Sequence, residues 1–504
     1  MASPAEPRGR WRWRDAALVL VACVLFYWLY LGYSGFSLSE GFRVVPAWEM
    51  LDNGDWLVTR MFEQPYLRKP PGMPWAIAGA SLLLGRTEFA ARSVSALATT
   101  LCALLSWGAA SRWWGRRAGL CAGLGYALTP LFWMPGRSAE IEALHNVTFL
   151  LSALALLRVL QPGPTRFTGV LLALATGSMA LVKGPSGIPA LVGLLSASLL
   201  VQRSWRPLLR PGLWLGFTGG LAIVGIWLGL LTAAVSRQSL AVVTEPASRF
   251  LWKPGFELQV LTLPVSALAS ALPLSLSLLP ALLRVPSADE HAARTSRADD
   301  AGRTLAWSVL LSLALYCVIG VSNARYAMPA LTLVPMVFGF TVSRAAIITA
   351  AAHTFISRVL LLHRPAITLA VLALGAAGHT IWFEQRRETR TSGRAAGLAL
   401  GDVLRTGEVW ADEMIDARPE VLLYAQRQAE ARGVMLRVRW MPGLGDTLLL
   451  PPPGGYLVLR DDDRPREWRQ PEFPPYQAAD LLKGLQPVFA GQAHNFTFKV
   501  YQIP

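Results

Sequence analysis

Stretches of about 20 apolar residues recur along this chain, and each is long enough to cross roughly 30 Å of hydrocarbon as a helix. A crossing segment finds no water for its backbone, so it must close its own hydrogen bonds. That requirement constrains the fold more than any other feature. With 53% apolar and 16% charged residues and a mean hydropathy of +0.39, the chain is not an ordinary soluble globule. A net charge of +15 would point a soluble protein toward nucleic acid. Here the excess sits in short Arg-rich loops, where it sets orientation and meets anionic headgroups, so no nucleic-acid partner is expected. Cys23, Cys102, Cys121 and Cys317 all fall within apolar stretches and read as packing residues, not as a disulfide framework or a metal site.

Arg8, Arg10, Arg12 and Arg14 precede the first stretch, which reads as a retained anchor with a cytoplasmic N-terminus. Spans are predicted over about 16–34, 90–111, 118–134, 143–160, 167–182, 187–201, 213–235, 258–283, 304–321, 326–343 and 365–382. Residues 72–85 and 345–363 are too short or too polar to cross and read as interfacial helices. From about residue 395 the pattern changes: GEVWA, VMLRVRW, GYLVLR and FTFKVYQI read as strands, with helices over roughly 413–431 and 476–485. The expected fold is an all-α polytopic membrane protein of about 11–13 helices with a small C-terminal α/β domain. Its expected parts are a cytoplasmic N-terminus (1–15), a membrane domain (16–383) with an outer loop at 35–89, and an extracytoplasmic C-terminal domain (384–504). Asn146 lies inside a span, and Asn495 would be a glycosylation acceptor only in a eukaryotic secretory setting.

The polar clusters that are not Arg-rich orientation signals converge on the outer side in this topology. They are SEGF with YLRKPP, AEIE, VKGPSG, the loop 236–257 with Arg249 and Lys253, and SNARY. Ser39–Pro71 alone holds five carboxylates and four cations. Ionisable groups kept near hydrocarbon are costly and usually have a task. Carboxylates with scattered Lys and Arg suit a reaction with an anionic leaving group. The cations hold a phosphate, and a carboxylate takes a proton from the attacking hydroxyl. Each residue also has a plain reading, since Glu40 and Glu142 begin helices and Lys69, Lys183 and Arg325 sit where cations snorkel or anchor.

Ser39-Glu40, Glu49-Met50, Gly54-Asp55-Trp56 and Tyr66-Leu67-Arg68-Lys69-Pro70-Pro71 stand at intervals that resemble the GT-C membrane glycosyltransferases of the protein O-mannosyltransferase and aminoarabinose transferase type. EFAAR (88–92), GRRAGL (115–120), AEIE (139–142), LVKGP (181–185) and RYAMP (325–329) follow in the family's order, so the resemblance covers roughly 15–345. It implies a polyprenyl-phosphate sugar donor and inverting transfer to an acceptor hydroxyl of a lipid, glycan or protein. The setting it implies is the periplasmic face of a bacterial inner membrane. Carried over by position, Glu40 and Glu142 are the catalytic acids, with Glu40 favoured as base. Lys69 holds the donor phosphate with Lys183 and Arg325, while Tyr66, Tyr326 and Arg43 join the substrate-binding set. Ser39 stands where the family has Asp, Glu142 where Asp is usual, and Arg68 where Glu is usual. The cation at Arg68 disfavours a divalent metal, and no cofactor is expected. The alternatives are a catalytically impaired relative serving as a lipid-binding scaffold, and a lipid flippase or transporter.

Overall fold

The computed structural model describes residues 13–37, 39–163, 165–235, 257–282, 292–321, 323–348, 365–405, 407–411, 418–440, 451–460, 484–493 and 496–504. Arg249 and Lys253, most of 345–363, most of the predicted helix 476–485 and Asn495 lie outside them. The helices are α1 (Trp13–Cys23), α2 (Gly41–Asn53), α3 (Gly72–Leu84), α4 (Glu88–Trp114), α5 (Arg116–Leu128), α6 (Ile141–Val159), α7 (Arg166–Lys183), α8 (Ile188–Gln202), α9 (Pro211–Ala234), α10 (Glu257–Ser270), α11 (Ala292–Ile319), α12 (Val334–Ile348), α13 (Pro365–Arg390), α14 (Arg394–Val403) and α15 (Pro419–Ala431), with short 3-10 turns and single-turn helices between them. Two compact units emerge: residues 1–31, 68–73 and 92–380, and residues 32–67, 74–91 and 381–504.

The first unit is helical. Among the described residues, five helical stretches are long and apolar enough to cross a membrane, and two bent pairs raise the number to seven. The chain is a polytopic, mostly α-helical membrane protein. One predicted span is corrected: over 258–283 the chain turns by 107° between Thr262–Ser270 and Leu274–Leu282. Pro273 has no N–H with which to continue the helix. The predicted fifth and sixth spans correspond to α7 and α8. Gly169 meets Gly212, Leu172 meets Gly216 and Thr176 meets Gly220, so α7 and α9 run the same way and α8 returns between them. At one end of these helices Arg116 pairs with Asp15 at 2.6 Å, Trp114 donates to Ala298 O, and Arg344 pairs with Asp299 at 2.8 Å. The turns carrying AEIE, LVKGP and RYAMP gather at the other end.

The second unit holds α2, most of α3, α14, α15 and a five-stranded sheet ordered β4-β3-β5-β7-β6, after a two-residue hairpin β1 (Arg60–Met61) and β2 (Gln64–Pro65). β3 (Gly407–Ala411) pairs in parallel with β4 (Leu436–Trp440) and β5 (Tyr456–Arg460). β7 (Phe496–Gln502) runs antiparallel to β5 and to β6 (Phe489–Ala493). Leu457, Leu459, Tyr501 and Ile503 form part of its core. The sequence did not signal β6. Gly491 interrupts its pattern, because a Cβ there would meet the Phe498 ring at 2.5 Å. The predicted helix at 413–431 is described from Pro419, whose fixed φ suits a first helical turn.

Candidate active site

Three helix ends in the first unit present charge where local physics favours it. Glu142 lies in the first turn of α6, where the helix dipole stabilises a carboxylate. Glu140, just before that helix, is extended. Lys183 closes α7 at the end that favours a cation, and Gly184 takes φ +65° to turn the chain. Asn323 caps the turn Ala324–Ala327 by accepting the Arg325 N–H at 2.9 Å. Helix-end preference accounts for each charge separately. It does not account for their meeting across some 40 and 180 positions of chain.

They do meet. Arg325 grips Glu142 with two bonds, Nε to Oε1 and Nη2 to Oε2, each 2.7 Å, and Nη2 also reaches Glu140. Lys183 Nζ donates to Glu142 Oε1 at 3.1 Å and lies 4.9 Å from the centre of the Tyr326 ring. Two carboxylates and two cations therefore cancel in charge, as burial demands. The cluster is not sealed: Arg325 is 41% exposed while Glu142 is 6% exposed. Behind it, His145 Nε2 is 3.4 Å from Ser186 Oγ, and Tyr316 donates to Ser186 O at 2.8 Å. This fixes the turn that carries Lys183. Lys69 and Arg68, both half-buried, lie on a segment packed against the same turn. A Cβ on Gly72 would meet Leu181 O at 2.7 Å, two residues before Lys183.

Glu40, Arg43 and Tyr66 belong to the second unit. Glu40 is fully buried, accepts the Ser37 N–H at 2.9 Å and pairs with Arg387 at 3.8 Å. Arg387 also donates to Ser37 Oγ at 3.1 Å and faces Glu384 at 3.8 Å, and Glu384 accepts from Ser34. Tyr66 is buried and stacks on Phe42 with ring centres 6.0 Å apart. Arg43 is half-buried and donates to Phe42 O at 3.2 Å. Sequence reasoning gave Glu140 no role of its own within AEIE and read His145 as a polar packing residue, and the structure buries His145. The signal was present: His145 follows Glu142 by three residues on one helix, and Glu140 sits just outside the same helix end. Among the described residues, no group of three or more His, Cys, Asp or Glu side chains is placed to hold a metal.

Residues 68–228 match the family model described as dolichyl-phosphate-mannose-protein mannosyltransferase. An undecaprenyl phosphate-alpha-4-amino-4-deoxy-L-arabinose arabinosyl transferase of Pseudomonas savastanoi is 36% identical over 104 residues, 20% of this chain and 20% of that protein. The protein of the same name from Pseudomonas aeruginosa is 32% identical over 208 residues, 40% of this chain and 38% of that one. The chain thus spans between a fifth and two fifths of the length of these curated relatives. The likeness in fold is nearly complete. ArnT from Cupriavidus metallidurans, solved bound to undecaprenyl phosphate, superposes with a TM-score of 0.67 at 18% identity over 96% of this chain and 97% of that one. The fold is that of this ArnT structure. Over the matched stretches the chain is similar in sequence to the arabinosyl transferases named above, the direction in which the ordered motifs pointed.

Proposed function

We propose that the chain is a glycosyltransferase that moves a sugar from a polyprenyl-phosphate donor to an acceptor hydroxyl at the periplasmic face of a bacterial inner membrane. The observation that carries this reading is the meeting of Glu142, Lys183 and Arg325 at one end of the helices, with one cation open to the outside of the cluster. The names of the relatives and the bound lipid of the ArnT structure support the choice of donor.

The geometry favours Glu142 over Glu40 as the base, since Glu40 is sealed against Arg387. A donor phosphate competing for the exposed Arg325 loosens its grip on Glu142 and frees a carboxylate oxygen for the acceptor hydroxyl. The acceptor oxygen then forms a bond to the anomeric carbon from the face opposite the phosphate. The bond from that carbon to the phosphate oxygen breaks, the polyprenyl phosphate leaves with the electron pair, and the hydroxyl proton passes to Glu142. Inversion follows from the single displacement. Lys183 and Arg325, with Lys69 from the neighbouring segment, stabilise the charge on the leaving phosphate.

The test is incubation of the purified full chain with polyprenyl-phosphate sugars. Release of free polyprenyl phosphate is expected, with loss of release in Glu142→Gln. Binding without release would leave the scaffold reading, and translocation of the lipid across vesicles would favour a flippase.

A further inference from the structure

One cavity of about 740 Å³ lies wholly within the second unit and takes no part in the chemistry above. Its size falls in the range of ligand sites. α2 gives it one helical face, with Val45, Trp48, Glu49 and Asp52 at spacings of three, four and seven. α15 gives another with Leu423, Gln426, Arg427 and Glu430, and β4 closes one side. Two motifs without a role at the Glu142 cluster are used here. Glu49 lines the cavity, and Gly54, at φ +70°, ends α2 so that Asp55 can bind the N–H groups of Leu57 and Val58 at 3.1 Å.

The lining chemistry selects a ligand class. Four carboxylates (Glu49, Asp52, Glu63, Glu430) stand against four guanidiniums (Arg60, Arg86, Arg427, Arg437), so the formal charge is zero. Most are already committed: Arg86 to Asp52 at 2.5 Å, Arg437 to Glu63 at 2.7 Å, and Arg60 to Asp55 at 3.4 Å. Gln426 and Glu430 keep their polar groups free among the described residues. Arg427 lies 4.9 Å from the centre of the Trp48 ring and spends one N–H on Arg86 O at 3.0 Å. An anion would need a surplus of unpaired cations, and a lipid tail an apolar wall. Amide, carboxylate and guanidinium edges instead match the hydroxyls of an uncharged sugar ring. We infer that this cavity binds a neutral saccharide.

Saturation-transfer NMR on the full chain in detergent, with glucose, galactose, N-acetylglucosamine and glucose 6-phosphate as probes, tests it. At least one neutral sugar gives signal, and the double change Gln426→Ala with Glu430→Ala, both on the solvent side, weakens its binding about tenfold. Silence from all three neutral sugars, unchanged binding in the double variant, or tighter binding of glucose 6-phosphate overturns the inference. Release of polyprenyl phosphate to water, measured on the same samples, separates the two readings. Sugar binding in a wild type that releases nothing would overturn the transferase assignment and leave the cavity's ligand in place.

Discussion

The Glu142 cluster and the Glu40 cluster are built from the same chemistry with opposite outcomes. Each joins Glu and Arg from distant parts of the chain, and each is nearly charge-balanced. In the first, the Arg325 guanidinium is 41% exposed, and a Lys sits beside Glu142 under a Tyr ring. In the second, Glu40, Glu384 and Arg387 are all 4% exposed or less, and the Ser37 backbone fills a further lone pair of Glu40. A phosphate can compete for an exposed cation at modest cost. It cannot reach a sealed one without unfolding its surroundings. On the proposed mechanism, access to the partner cation, and not residue type or helix position, separates a reactive carboxylate from a fastening one.

Two substitutions break this comparison most sharply. Glu142→Gln should cut sugar transfer by roughly 10²–10⁴-fold, about 3–5 kcal/mol. Near-normal turnover would remove Glu142 from the mechanism. Arg387→Leu should act the other way round, on stability. It removes one buried cation paired with both Glu40 and Glu384 and should cost roughly 3–5 kcal/mol, seen as a lower denaturation midpoint or faster proteolysis of the C-terminal region. If that variant is as stable as the wild type, the sealed network is not a fastening. A smaller effect is expected from Lys183→Met, since Arg325 still holds Glu142. Losing one charged contact of about 1.5–3 kcal/mol should raise the KM for donor about 10- to 100-fold. An unchanged KM with reduced kcat would mean that Lys183 acts only after the donor is bound.

Much of this was legible in the sequence, for identifiable reasons. Apolar length fixed the membrane class, and Arg placement put AEIE, LVKGP and RYAMP at one end, where Glu142, Lys183 and Arg325 are found together. The sequence ranked Glu40 above Glu142, and the mechanism proposed here reverses that order because Glu40 is paired deep in the second unit. Glu40's partner, Arg387, lies 347 positions away, beyond the last predicted span. The bend at 258–283 escaped because hydropathy averages over a break that a single proline makes. β6 escaped because a strand that needs Gly491 for close approach lacks the usual alternation.

The finest discrimination between the clusters is by pH. Glu420 sits at the edge of the sealed network, with Arg418 at 3.0 Å from Oε1, while Oε2 has no hydrogen-bond partner among the described residues. Burial pushes its carboxyl up to about 7. Arg418 opposes the shift, and the nearby Glu40 charge adds to it. Burial also lifts Glu49 to about 7, against the Phe62 and Glu63 N–H groups that favour its charge. A carboxyl whose pKa is raised on folding binds its proton more tightly in the folded chain. Its stabilisation is complete below about 4.5 and is lost as pH climbs through about 7. The denaturation midpoint of the C-terminal region should therefore fall between pH 4.5 and 8, and Glu420→Gln should flatten the fall and raise the midpoint at pH 8. A wild-type midpoint that rises over that interval would overturn the assignment of the raised carboxyls to Glu420 and Glu49.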